Sequence, residues 1–301
     1  MAGPDRRVID RRALLAGAAG LVTAACSSRR AATPAAHTAA PPVGMSGPSA
    51  SHPAPTHLAT RPVSAKAPAP ASVILARSTV PMLCFHQVRD WAAGDSASAK
   101  VIITPPRRLA AQLDALAEAG YTTITPEQLL AHLRYGARLP ARPVLLSFDD
   151  ASGGQYTHAL PLLLRHRFTA TFFVMTVVLD KPRWLSRAQV RDLHRRGMAI
   201  AAHTWDHHPV TRYTGADWQR QLVDPARELG RLIGAPVRLF AYPYGLWNQA
   251  ALPHVQAAGY EAAFQLSERQ DPKQPLLTIR RMIAASEWDG RTLVRQMRTL
   301  F

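Results

Sequence analysis

Only two cysteines, Cys26 and Cys84, occur in 301 residues, so a disulfide framework is excluded as the source of stability. Acidic residues are also scarce: 20 Asp and Glu stand against 36 Lys and Arg, a formal net charge of +16. The excess is mostly arginine, scattered along the chain. No basic helix interleaved with aromatics is found, which argues against nucleic acid as a partner. A scattered excess suits an anionic envelope, and equally a compositional bias of the source genome. The apolar run Ala13–Val22 is too short to span a bilayer. What the chain does have is 47% apolar residues, enough for a sizeable core.

The first 26 residues read as an export signal. Arg11-Arg12 precede the small, apolar run 13–22, and Thr23-Ala24-Ala25-Cys26 follows. The arginine pair resembles a twin-arginine signal. Cys26 after Ala-Ala resembles a lipoprotein processing site, which would make membrane attachment a matter of a lipid anchor. Ordinary cleavage beside an incidental cysteine is the alternative. The expected location is the periplasm or cell surface.

Residues 27–79 are rich in Ala, Pro, Ser and Thr without helical or strand period, and are expected to form a semi-extended spacer. Its histidines, His37, His52 and His57, read as solvated. A single domain is expected over 80–301. Strands are expected at 80–85, 121–124, 143–148, 170–175, 198–202, 238–242, 260–265 and 277–283. Helices are expected at 106–119, 126–135, 155–167, 186–196, 217–233, 248–258 and 290–300. This alternation implies α/β architecture with parallel strands and crossover helices, as a barrel or a wound sheet.

Two segments carry the chemistry. Ser147-Phe148-Asp149-Asp150 ends an apolar run, and His203-Thr204-Trp205-Asp206-His207-His208 places histidines at i and i+4. Adjacent carboxylates resist burial without a cation nearby. One can bind a metal while the other stays free as a base. The i, i+4 spacing puts two imidazoles on one face of a helical turn. His208 replaces His207 as ligand if the segment is an irregular loop, and Thr204 is placed to anchor it by a side-chain hydrogen bond. One Asp and two His leave open positions on an ion, as a catalytic site requires. Zinc is favoured; cobalt, nickel and iron also suit these donors. Both segments, His86 and Tyr242-Pro243-Tyr244 all fall just past expected strand ends, on one rim of a parallel barrel.

These motifs resemble those of the polysaccharide deacetylases, which share the nodulation-type chitooligosaccharide deacetylase domain. Ser147–Asp150 resembles their Thr-Phe-Asp-Asp motif, His203–His207 their His-Ser/Thr-x-x-His motif, and Phe240–Gly245 their Arg-x-Pro-Tyr motif. The resemblance implies a distorted (β/α) barrel with about seven strands. It implies an amide hydrolase that removes acetate from N-acetylglucosamine polymers, an exopolysaccharide first, with peptidoglycan or a chitooligosaccharide as the alternative. Asp149 would be the base and Asp150, His203 and His207 the metal ligands. The backbone N–H of Tyr244 would stabilise the oxyanion.

Two departures stand out. Ala241 replaces the arginine that usually orients the base, so another group must fix Asp149. Arg281 stands where a late histidine normally supplies the acid, and arginine is a poor proton donor. His86, ending the first strand, is the candidate acid; a core histidine capped by its neighbours is the alternative. An early histidine together with Ala-Tyr-Pro-Tyr-Gly resembles the branch acting on poly-β-1,6-N-acetylglucosamine. Arg89-Asp90 is a candidate support for His86, with Asp90 as an ordinary loop residue the alternative. Trp205, Tyr242 and Trp247 are candidate sugar-binding aromatics, whereas Trp184 and Trp288 suit packing at least as well. Loss of the usual arginine and histidine also fits a different class, an inactive glycan-binding surface protein.

Overall fold

The computed structural model describes residues 67–301, apart from Ser267. The signal segment, Cys26 and the three spacer histidines lie outside the described residues. Among the described residues eleven strands are formed: β1 (Met82–Phe85), β2 (Gln87–Val88), β3 (Ile103–Thr104), β4 (Thr122–Thr123), β5 (Pro143–Phe148), β6 (Thr171–Val174), β7 (Ala199–Ala202), β8 (Leu239–Ala241), β9 (Ala262–Gln265), β10 (Ile279–Arg280) and β11 (Met282–Ile283). Eight follow one another in the order β10-β9-β8-β7-β6-β5-β1-β11, every pair parallel, around a nearly closed barrel. The two ends of that path, β10 and β11, are halves of one stretch with only Arg281 between them. The first half pairs with β9 and the second with β1, so seven stretches of chain enclose the core, as the sequence suggested.

Strand period two sorts the side chains. Met82, Leu145, Phe173, Ala201, Leu239, Ala241, Ala262, Phe264 and Ile279 share an inner cluster. Their neighbours Leu83, Leu146, Phe172, Ala202 and Phe240 pack in the layer beneath the helices. Continuing the inner parity past the strand ends gives Cys84 on β1 and His86 just after it, Ser147 on β5 and Asp149 just after it, His203 after β7, and Arg281. The inner face is thus apolar at its base and chemical at its C-terminal rim.

Several expected boundaries move. The helix Ala71–Arg77 lies inside the stretch expected to be spacer; its apolar Val-Ile-Leu run buries Ile74 against the inner cluster. The expected strand 277–283 opens as a 3-10 turn, Pro275–Thr278, before β10. The small β2–β3 pair and the helix Ala97–Ile102, capped by Ser96, were not foreseen. Two expected helices begin as π turns, Gln155–Ala159 and Gln219–Val223. Pro161 and Pro225 follow closely. Each lacks an N–H and crowds the carbonyl four residues back, which the wider turn relieves. Among the described residues no helix is long and apolar enough to cross a membrane.

Candidate metal and active centre

Asp150 leaves β5 through two left-handed residues, itself at φ 76° and Ala151 at φ 66°. This turn carries its Oδ1 to 3.3 Å from His203 Nε2 and 3.4 Å from His207 Nε2. That oxygen is buried and makes no hydrogen bond. His203 Nδ1 lies 2.8 Å from the Ala241 carbonyl. A carbonyl only accepts, so Nδ1 carries a proton, and in the neutral ring Nε2 is the nitrogen that presents a lone pair. A buried carboxylate oxygen without a donor, facing two imidazole nitrogens, fits a divalent cation.

The histidine segment is not a helical turn. Thr204 at φ 66° and His207 at φ 69° sit in the left-handed region, a costly conformation for a β-branched residue. The loop is held by side chains: His207 N donates to Thr204 Oγ1 at 2.9 Å, as anticipated. Gln221, from the second π turn, accepts from Trp205 N at 3.1 Å and donates to Asp206 Oδ1 at 2.9 Å. The irregular loop does not bring in His208. It is exposed, and its ring stacks on Tyr213 with centroids 6.1 Å apart.

Asp149 is fixed by Arg281. The guanidinium donates from NH1 to Oδ1 at 2.7 Å and from NH2 to Oδ2 at 2.8 Å, with neither side chain significantly exposed. NH1 also reaches Ser147 Oγ at 3.0 Å, and the cation lies 4.8 Å from the Phe173 ring centroid. Arg281, which stands in place of the late acid, thus fills the orienting role vacated at Ala241. The signal was available: Arg281 shares inner parity with Ile279. Burial raises the Asp149 pKa, but the charges of Arg281 and then His203 outweigh it and hold the carboxyl below its usual value. Asp150 also lies well below, where burial is opposed first by His207. His207 is pulled down to about 4 by burial. At His203 burial is again the largest effect and acts the same way, but Asp149 and Asp150 together outweigh it and the net shift is upward.

His86 faces the same space, half-buried. Its Nδ1 is 4.0 Å from Cys84 Sγ, and that thiol lies 3.4 Å from Asp149 Oδ2. Burial pushes the thiol pKa well up. Arg89 does not support His86; it forms a doubly hydrogen-bonded pair with Asp95 at 2.8 Å, and Asp90 contributes only a carbonyl to Arg89. Tyr244 sits at φ 58° inside a 3-10 turn, its ring edge-on to His207 with centroids 4.4 Å apart. Tyr242 is a correction: it is buried, and its hydroxyl donates to the Leu277 carbonyl at 2.9 Å, so it packs the fold and offers no face to a sugar. Trp205 and Trp247 are half-buried; Arg220 lies 5.6 Å from the Trp205 ring centroid, and the Trp247 indole N–H is buried without a hydrogen-bond partner. Trp184 and Trp288 pack against the core.

The polysaccharide deacetylase family pattern matches residues 136–263, which contain both metal-site segments and Tyr244. Over that stretch the chain is similar to the polysaccharide deacetylase family. It is 24% identical over 182 residues to YxkH of Bacillus subtilis (strain 168), covering 60% of this chain and 62% of that protein. It is 24% identical over 160 residues to the poly-beta-1,6-N-acetyl-D-glucosamine N-deacetylase of Staphylococcus aureus (strain MRSA252), covering 48% and 55%. The chain therefore spans somewhat over half the length of these relatives. The fold is shared with the Streptococcus pyogenes deacetylase PplD, at a TM-score of 0.67, 22% identity and coverage of 72% of this chain and 97% of that one. It is also shared with IcaB from Ammonifex degensii, at a TM-score of 0.59, 21% identity and coverage of 72% and 95%. His86 and Arg281 lie outside the matched pattern.

Proposed function

We propose that this chain is a polysaccharide deacetylase, an exported, metal-dependent N-deacetylase of N-acetylglucosamine polymers, with poly-β-1,6-N-acetylglucosamine as the favoured substrate. The observation that carries this reading is the paired arrangement of Asp149 and Asp150. One carboxylate is locked by Arg281, and the other faces two imidazole nitrogens without a hydrogen-bond donor. The relative acting on that polymer and the early His86 support the substrate.

Asp150, His203 and His207 would hold the cation, favoured to be zinc. When bound, it supplies Lewis-acid polarisation of the acetamide carbonyl and a lowered pKa for the attacking water. Asp149, kept ionised by Arg281, accepts a proton from that water. The backbone N–H of Tyr244 donates to the developing oxyanion, an interaction commonly worth about 3 kcal/mol. His86 delivers a proton to the departing amine. Trp205 and Trp247 offer aromatic surface to the sugar rings. Since Arg281 fixes the base, the lost motif arginine no longer favours an inactive glycan-binding protein.

The test is acetate release by the metal-loaded chain from poly-β-1,6-N-acetylglucosamine, chitooligosaccharide and peptidoglycan in parallel. Release from the first, abolished by Asp149→Asn, is expected. Zinc binding with no acetate release and no effect of Asp149→Asn would sink the enzyme reading. Export and a Cys26 anchor are tested by cell fractionation of the full chain beside Cys26→Ser; a soluble cytoplasmic product would reject both.

A further inference from the structure

We infer that Gln155 is a positioning residue that holds the proposed base and the proposed acid at a fixed separation; this rests on the deacetylase reading. Strands β1 and β5 pair in parallel up to Phe85 and Phe148, and the last rung is Asp149 N donating to the Phe85 carbonyl at 2.9 Å. Beyond it the chain turns at Asp150, φ 76°, and the ladder stops. The carbonyls of His86 and Asp149, the two residues whose side chains would move protons, then lie past the last rung. A single amide group completes both. Gln155 Nε2 donates to the His86 carbonyl at 2.9 Å and to the Asp149 carbonyl at 2.5 Å. The side chain is fully buried. Both of its N–H groups are used, so the amide ties one strand end to the other.

Two local features aim this amide. Gln155 opens the π turn Gln155–Ala159, a form of helix often placed at functional sites. The preceding Gly154 lies so close to β2 that a Cβ would stand 1.9 Å from the Val88 carbonyl oxygen. The start of the turn is thereby pressed against the strand that follows His86. Cys84 adds a second link between the side chains, 3.4 Å from Asp149 Oδ2 and 4.0 Å from His86 Nδ1.

The experiment compares wild type, Gln155→Met, which keeps length and loses both donors, and Leu163→Ala, a core truncation in the following helix. Expected for Gln155→Met is a kcat lower by about 10- to 100-fold with KM changed less than about twofold, and an altered pH profile of kcat/KM. Leu163→Ala should lose stability and keep kcat and profile. A second arm needs no turnover: amide hydrogen exchange at residues 86–88 and 149–151 should rise in Gln155→Met beyond any rise in Leu163→Ala. Unchanged kcat and exchange in Gln155→Met, or equal effects in both variants, would overturn the inference. If wild type releases no acetate, the deacetylase reading falls, while the exchange arm still decides whether Gln155 holds the two strand ends together.

Discussion

Arg281 and Asp149 form a doubly hydrogen-bonded ion pair at the C-terminal rim of the barrel, shut off from solvent. Losing one partner of a buried pair leaves the other charge uncompensated, at about 3–5 kcal/mol. Arg281→Met should therefore cost stability of that order by urea denaturation and remove most deacetylation. Arg281→Lys keeps the charge but not the planar fork, so it should recover part of the stability and little of the rate. Wild-type stability and rate in Arg281→Met would show that the pair holds nothing in place.

The two candidate histidine ligands should have opposite effects on the pH dependence of the metal-free chain. His207 falls from 6.5 to about 4 on folding, chiefly by burial. The unfolded chain then takes up a proton at higher pH than the folded one. The stability contributed at neutral pH is lost as pH falls through that window, by about 3 kcal/mol. His203 is raised, so its contribution is complete below 6.5 and lost as pH rises through its folded value. Unfolding curves with chelator from pH 4 to 8 should show a shallower acid-side fall for His207→Gln. A fall of unchanged steepness would reject burial as the cause.

Metal affinity should separate His207 from its neighbour. His207 Nε2 converges with Asp150 and His203, whereas His208 stacks outward on Tyr213. Since even supporting residues cost 10- to 100-fold in affinity, His207→Ala should weaken cobalt or zinc binding by more than about 100-fold. His208→Ala should leave it nearly unchanged in competition with a chelating dye. The reverse ranking would move the ligand to His208.

Much of this centre was legible because carboxylates and imidazoles at strand ends have few other reasons to cluster. Asp149, Asp150, His203, His207 and His86 do converge. What was not legible depended on geometry beyond spacing. Left-handed conformations at Thr204 and His207 cannot be read from side chains that ordinarily avoid them. At Arg281 the poor acidity of a guanidinium hides its role, which strand parity reveals by turning it inward. At Tyr242 the motif suggests a sugar contact, whereas strand parity alternates it with the inner residues Leu239 and Ala241 and puts it with the outer Phe240. The π turns were hidden inside helical patterns, and with them the reach of Gln155 and Gln221.

Tyr242 and Trp205 should therefore part company. Tyr242→Phe removes the hydroxyl that donates to the buried Leu277 carbonyl, at a cost of about 1–3 kcal/mol, without changing KM. Trp205→Ala removes a half-exposed ring at the rim and should raise KM for the polymer severalfold with little effect on stability. A KM effect confined to Tyr242→Phe would reverse the assignment.

Gly154 tests whether the close approach of the first π turn to β2 matters to the centre. A Cβ there would meet the Val88 carbonyl oxygen at 1.9 Å, and a backbone atom cannot swing aside as a side-chain tip would. Either the turn retreats, carrying Gln155 away from the His86 and Asp149 carbonyls, or β2 does, carrying the chain that follows His86. Gly154→Ala should then destabilise the fold by about 3 kcal/mol, the upper end for overpacking. It should also lower kcat more than a core truncation of equal cost, such as Leu163→Ala, read by matching the two variants in urea before comparing turnover. Equal turnover at equal stability would mean that the approach of Gly154 to Val88 serves packing alone.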